Sequence, residues 1–278
     1  MRARPRRQGI GIVAAFATCL AGCFAAPSRP GNAPWDARID GSPGNAPVAH
    51  KLASAWYASN TQSSGMTTTQ YSVSIGNVPD GDLILFIANI DNGGTSVWAL
   101  PTPMFHQITQ SYITGDGQTL FAAWTIANNE PTTYTQPYGP GIASADATIT
   151  VLDITGADPA SPIIAGPPSI GGSGEDPVVM SSPGVTTAAP NSLLIFAGGA
   201  DWLAQSSTAT FTPPSGFDVI DAFGDEGTPS FEWTTQLVAS AIQASPGPTG
   251  THTAMMSSSP AHAGTPWALD LAIKPAPR

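Results

Sequence analysis

The sequence has little charge, little cysteine and, beyond its first eight positions, almost no basic residues. Charged residues make up 10% of the 278, against about a quarter in an ordinary globular chain. Four of the nine Lys and Arg are Arg2, Arg4, Arg6 and Arg7; the remaining five stand against 19 acids, a net charge of −14. Nucleic-acid binding wants clustered cations, and none are left to cluster. The two cysteines, Cys19 and Cys23, both lie near the N-terminus. No disulfide can staple the body, which must stand on its own core. No apolar run reaches the roughly 18–20 residues of a membrane-spanning helix. The strings G-x-S-x-G and H-E-x-x-H, a Walker A loop and a dinucleotide fingerprint are all missing, which removes the usual signatures of serine hydrolases, zinc peptidases and nucleotide-binding enzymes.

What is present begins with a basic stretch, "MRARPRRQ", followed by the small, uncharged and mostly apolar "GIGIVAAFATCLAG". That order describes a secretory signal over residues 1–22. Leu20-Ala21-Gly22-Cys23 resembles the lipobox of bacterial lipoproteins. The resemblance implies cleavage before Cys23, acylation of its sulfur and an N-terminal lipid anchor. Two or three acyl chains hold a protein stably where one holds it marginally. Phe24 stands where an inner-membrane retention signal has Asp, so the resemblance implies an outer-membrane or cell-surface location. Residues 23–49 carry "PGNAP" twice and little that could form a core. As flexible coil this tether reaches roughly 28 Å.

The body, 50–278, is rich in glycine (29 in the whole chain) and proline (28), with short apolar runs between turns. The strongest run is "DLILFIANID", 82–91. Leu83, Leu85 and Ile87 face one way and Ile84, Phe86 and Ala88 the other, so it reads as a central strand covered on both faces. At an offset of 110 the pattern recurs, Leu83-Ile84-Leu85-Phe86 falling on Leu193-Leu194-Ile195-Phe196 and Asp91 on Asp201. Pro79 falls on Ala189, one short of Pro190, so the preceding turn is expected to need a one-residue gap. Looser matches pair 100–108 with 211–220, 119–127 with 230–239 and 150–157 with 267–275, the last setting Asp153 opposite Asp270. The body therefore reads as two diverged halves, about 67–158 and 177–275, joined by 156–177. The expected fold is all-β, a jelly-roll-like antiparallel two-sheet sandwich of ten to twelve strands, its closing strands 148–154 and 267–274 side by side at the centre. Gly81-Asp82-Leu83-Ile84-Leu85 and Pro214-Ser215-Gly216-Phe217 are similar to elements of uncharacterised jelly-roll-like domains in bacterial secreted and phage-tail-type proteins, a likeness that implies a fold and no activity.

Candidate site residues are few. Trp98 and Trp202 follow the two matching strands, near Asp91 and Asp201. Aromatic platforms there suit sugar or protein contact. Turn carboxylates at Asp80, Asp82, Asp91, Asp116, Asp225 and Glu226 offer the oxygen ligands that Ca²⁺ takes, but Asp is also the ordinary turn residue. No metal site and no cofactor is expected, with Ca²⁺ as the alternative. Asp153 and Asp270 sit within strands; sharing one cleft, they would form the carboxylate pair of a glycosidase. Asp270 shares its face with Ala268, Ala272 and Lys274, which suggests a solvated position. The expected function is a lipid-anchored, non-catalytic binding or adhesion module of the bacterial envelope, with carbohydrate one ligand class. The alternatives are a structural or assembly lipoprotein that binds another protein or itself, and a carbohydrate-active hydrolase using Asp153 and Asp270.

Overall fold

The computed structural model describes residues 46–57, 70–90, 99–113, 118–137, 147–171, 176–200, 208–223, 234–259 and 264–277. They form strands and turns, with no helix among them. Half one holds β1 (Val48–Tyr57), β2 (Gln70–Ser74), β3 (Leu83–Ile90), β4 (His106–Ile113), β5 (Gln118–Ile126), β6 (Thr133–Pro137) and β7 (Ala147–Thr155). Half two holds β8 (Ile163–Ala165), β9 (Ser169–Ile170), β10 (Val178–Ser182), β11 (Thr186–Thr187), β12 (Ser192–Gly199), β13 (Thr208–Thr212), β14 (Asp218–Phe223), β15 (Gln236–Gln243), β16 (Gly247–Pro248), β17 (His252–Ser259) and β18 (Trp267–Ile273).

All strand pairings are antiparallel, and the two halves share one plan. The large sheet of half one runs β1-β7-β3-β5-β4; that of half two, read from its other edge, runs β8-β18-β12-β15-β14, with β9 also on β18. The two sheets face each other across a common core. Leu83, Leu85 and Ile87 meet Leu193, Ile195, Leu269 and Leu271 there. Their other faces are covered separately. Ile84, Phe86 and Val151 lie with Tyr71 and Tyr134 of the β2–β6 pair. Leu194, Phe196 and Ala272 lie with Val178, Met180 and Met256 of the β10-β17-β13 sheet. The alternation read from residues 82–91 is thus the alternation observed, and β3 and β12 are the middle strands of their sheets. Eleven strands make the facing pair, and seven more lie in three smaller sheets, beyond the ten to twelve expected for the body.

Three sequence expectations change. The closing strands do not pair: β7 lies between β1 and β3, and β18 between β12 and the short β8 and β9. The joining segment is not simply a connection, because Ile163–Ala165 pairs with Leu271–Ile273. The turn before the central strands needs no gap. Gly81 (φ 94°) and Asn191 (φ 58°) are 110 positions apart, and both take the left-handed backbone that closes the turn. The residue that matters is the one with positive φ, and the proline beside it is free to move by one.

Candidate functional site

Asp153 and Asp270 do not share a cleft. Asp153 continues the face of Ile149 and Val151, which looks out of the first sheet toward the β2–β6 pair. Asp270 continues the face of Ala268 and Ala272, which looks out of the second sheet toward β10-β17-β13. The facing sheets and their core lie between them. Nor are they equivalent. Asp153 registers with Ile84 on β3, and Asp270 with Phe196 on β12, the counterpart of Phe86. They are offset by two residues, which keeps the face and hid the mismatch in the sequence.

Asp270 is also buried rather than solvated. Its Oδ2 lies 3.0 Å from Nδ1 of His252, whose ring packs edge-on against Phe217 at 4.8 Å between centroids. Burial pushes the Asp270 carboxyl above its ordinary value, while His252, the Ser182 hydroxyl and the Gly184 N–H pull it back. Ser182, His252 and an aspartate invite comparison with a hydrolytic triad. The order is wrong, since the serine bonds the aspartate and is itself fully buried. The cluster holds β10, β17 and β18 together.

Cys23, Trp98, Trp202, Asp91 and Asp201 lie outside the described residues, as do Asp116, Asp225 and Glu226. Asp80 acts as a turn residue, its Oδ1 accepting the Asn129 N–H at 2.7 Å. Among the described residues no three His, Cys, Asp or Glu are grouped to hold a metal ion.

The polar chemistry that does gather lies in the core between the large sheets, at one end. There β3 finishes, β5, β7, β15 and β18 begin, and the inward positions stop being apolar. Asn89 follows Leu83, Leu85 and Ile87 on the inward face; Gln118 precedes Leu120 and Ala122; Thr148 and Thr150 precede Leu152; Gln236 precedes Val238. All five are buried, as are Thr234 and Trp267. Part of this group joins the halves. The Asn89 amide donates to the Thr235 carbonyl at 3.1 Å, and the Gln236 amide to the Thr150 hydroxyl at 2.8 Å, which in turn donates to Oδ2 of Asp221 at 2.8 Å. Lys51 Nζ meets Oδ1 of Asp221 at 2.9 Å. Lys51 and Asp221 each border a β-bulge on an edge strand, β1 and β14, and bulges re-aim side chains.

The rest of the group has no hydrogen-bond partner among the described residues: Asn89 Oδ1, both polar atoms of the Gln118 amide, Thr148 Oγ1, Thr234 Oγ1, Gln236 Oε1 and Trp267 Nε1. A buried polar atom left unmet costs about 1–3 kcal/mol, and a whole domain is stable by only about 5–15 kcal/mol. Internal water commonly meets such groups in folded proteins. The sequence reading missed this end of the core. Its signal was a polar residue continuing the inward apolar alternation, plain at Asn89 once the strand's faces are assigned.

No family model, no curated protein and no solved structure matches the chain.

Proposed function

We propose that this chain is a lipid-anchored, non-catalytic binding module of the bacterial envelope, held at the outer membrane or cell surface through Cys23 on a tether that ends before β1, which takes in Val48 and Ala49 of the expected 23–49. The polar end of the inter-sheet core carries the binding part of this reading. It concentrates neutral hydrogen-bonding groups between two otherwise apolar sheets, and among the described residues it holds no nucleophile paired with a base. The basic residues of 1–8, the short apolar run and Leu20-Ala21-Gly22-Cys23 support the anchor. The opposed directions of Asp153 and Asp270 remove the support for a hydrolase built on that pair. The reading needs no cofactor and no nucleic acid.

A second reading, assembly with another protein or another copy, draws on one observation. Val179 and Met255 sit directly opposite each other on β10 and β17, both exposed on the outer sheet. Large exposed apolar patches mark interfaces, and this pair is a small one.

Two experiments test the proposal. Wild-type and Cys23→Ala chains are fractionated: the wild type is expected with membranes and the variant in the soluble fraction, and identical fractionation contradicts the anchor. The soluble variant is then passed over a panel of neutral glycans with and without Ca²⁺. Saturable binding supports the module, loss on chelation brings the turn carboxylates back, and self-association without glycan binding favours assembly.

A further inference from the structure

We infer that the free edge of β13 pairs, antiparallel and about a two-fold axis at Thr210, with β13 of a second copy of this chain. This gives the assembly reading a definite surface and rests on it; the binding-module reading stands apart from it.

An open strand edge presents unpaired backbone N–H and C=O groups, and folded proteins blunt such edges with bulges, charges, prolines or short length. Among the described residues the other edges carry those devices or lie beside another strand. β1, β4 and β14 each hold a bulge, and β1 and β14 add Lys51 and Asp221. β8, β9, β11 and β16 are two or three residues long. β10 lies between Pro177 and Pro183, β6 contains Pro137, and β2 lies beside β1. β13 has none of these devices within its length. It reads Thr-Ala-Thr-Phe-Thr over 208–212, keeps an unbroken register with β17, and pairs on that side alone among the described residues.

The strand suits its own copy. Centred on Thr210, the pairing sets Thr opposite Thr, a favourable cross-strand match, and brings Phe211 opposite the small Ala209 of the second copy. Thr210 is exposed, whereas Ala209 and Phe211 pack toward the core beneath the sheet. The threonines therefore meet on the open face and the Phe–Ala pairs on the covered one. Charge permits the approach. The chain carries 19 acids, yet β10, β13 and β17 hold no Asp, Glu, Lys or Arg. The product is closed. The joined sheet runs β10-β17-β13-β13-β17-β10, with prolines flanking both outer strands, so growth ends at two copies.

The full Cys23→Ala chain is followed by sedimentation velocity up to about 0.5 mM, a range that populates a weak dimer. A reversible dimer is expected. Thr210→Lys sets two like charges opposite each other at an exposed position and is expected to weaken the dimer about fivefold or more. Mixing Thr210→Lys with Thr210→Glu is expected to restore association as a heterodimer. Hydrogen exchange of the β13 amides, slower in the dimer than in the monomer, reads the same edge without any variant. A dimer that Thr210→Lys leaves unchanged, with β13 exchange unaltered, overturns this edge while the assembly reading survives. A monomer at every concentration overturns both this edge and assembly with a second copy.

Discussion

Lys51 and Asp221 form one ion pair with two unequal members. The Asp221 side chain is 6% exposed and that of Lys51 41%. Removing the lysine leaves a buried carboxylate with only the Thr150 hydroxyl for company, and an uncompensated buried charge is expensive. Removing the aspartate's charge frees an ammonium that can turn to water. Lys51→Met is therefore expected to cost about 2–3 kcal/mol and Asp221→Asn about 1 kcal/mol. Urea denaturation of both variants checks the order, and equal costs would show that water reaches Asp221. Asp270 and Asp158 make opposite contributions to the pH dependence of stability. Burial raises Asp270 from the ordinary 3.8, so the stability it contributes is complete below that pH and is lost as pH climbs through its folded value. Wild type should lose stability relative to Asp270→Asn as pH rises from 3.8. The Lys274 ammonium, 2.9 Å away, and the Ala160 N–H lower Asp158, so its contribution is present above 3.8 and lost as pH falls below it. Relative to Asp158→Asn, wild type should weaken on the acid side. Denaturation midpoints across pH 3–7 for both variants test both signs.

At the scale of the element, much of the fold was legible and the register was not. The unbroken apolar run of 83–88, repeated at 193–197, marked two central strands, because a strand buried on both sides is apolar at every position. Strand equivalences were harder. Ile87 registers with Ala122, and its counterpart Ala197 with Val238. The true match for 118–126 is therefore 234–242, whereas the sequence pairs 119–127 with 230–239, some four to five residues short. At Asp153 and Asp270 the slip is two, and because side chains on a strand repeat every two residues such a slip preserves the apolar face and betrays nothing. Residues 1–45, Trp98 and Trp202 fall outside the described residues, while Val48 and Ala49, expected in the tether, belong to β1. Close approach of elements is equally invisible in one sequence. At Gly199 an added β-carbon would lie 2.2 Å from the Thr235 carbonyl as well as against Trp267. Gly199→Ala is expected to cost about 2 kcal/mol or more by overpacking and to shift Trp267 emission. Unchanged emission and stability would mean that β12 and the chain beside it at Thr235 and Trp267 can move apart without cost.

For the whole molecule, the two halves resemble the subunits of a symmetric dimer joined in one chain. Each large sheet offers the same apolar face, and edge strand β1 of one meets β14, the counterpart of β4, in the other. The chain's last strand region returns to half one, where Pro275 pairs with Ala157 and the Ala276 N–H donates to the Gly156 carbonyl. Neither half can cover its inner face alone. The full chain should unfold in one cooperative transition, and residues 46–158 and 159–278 expressed separately should be insoluble or associate with each other. Two separate transitions in the full chain would contradict a shared core. The same arrangement bears on function. It points the two strand aspartates apart and gathers the neutral polar groups at one end, and the proposed non-catalytic binding module rests on both.

The most direct test of that claim is to incubate the full Cys23→Ala chain with end-labelled neutral glycans, recover the bound fraction and measure the length of the label. The account predicts glycan retained by the protein and recovered intact. Shortened products that disappear in Asp153→Asn or Asp270→Asn would contradict it.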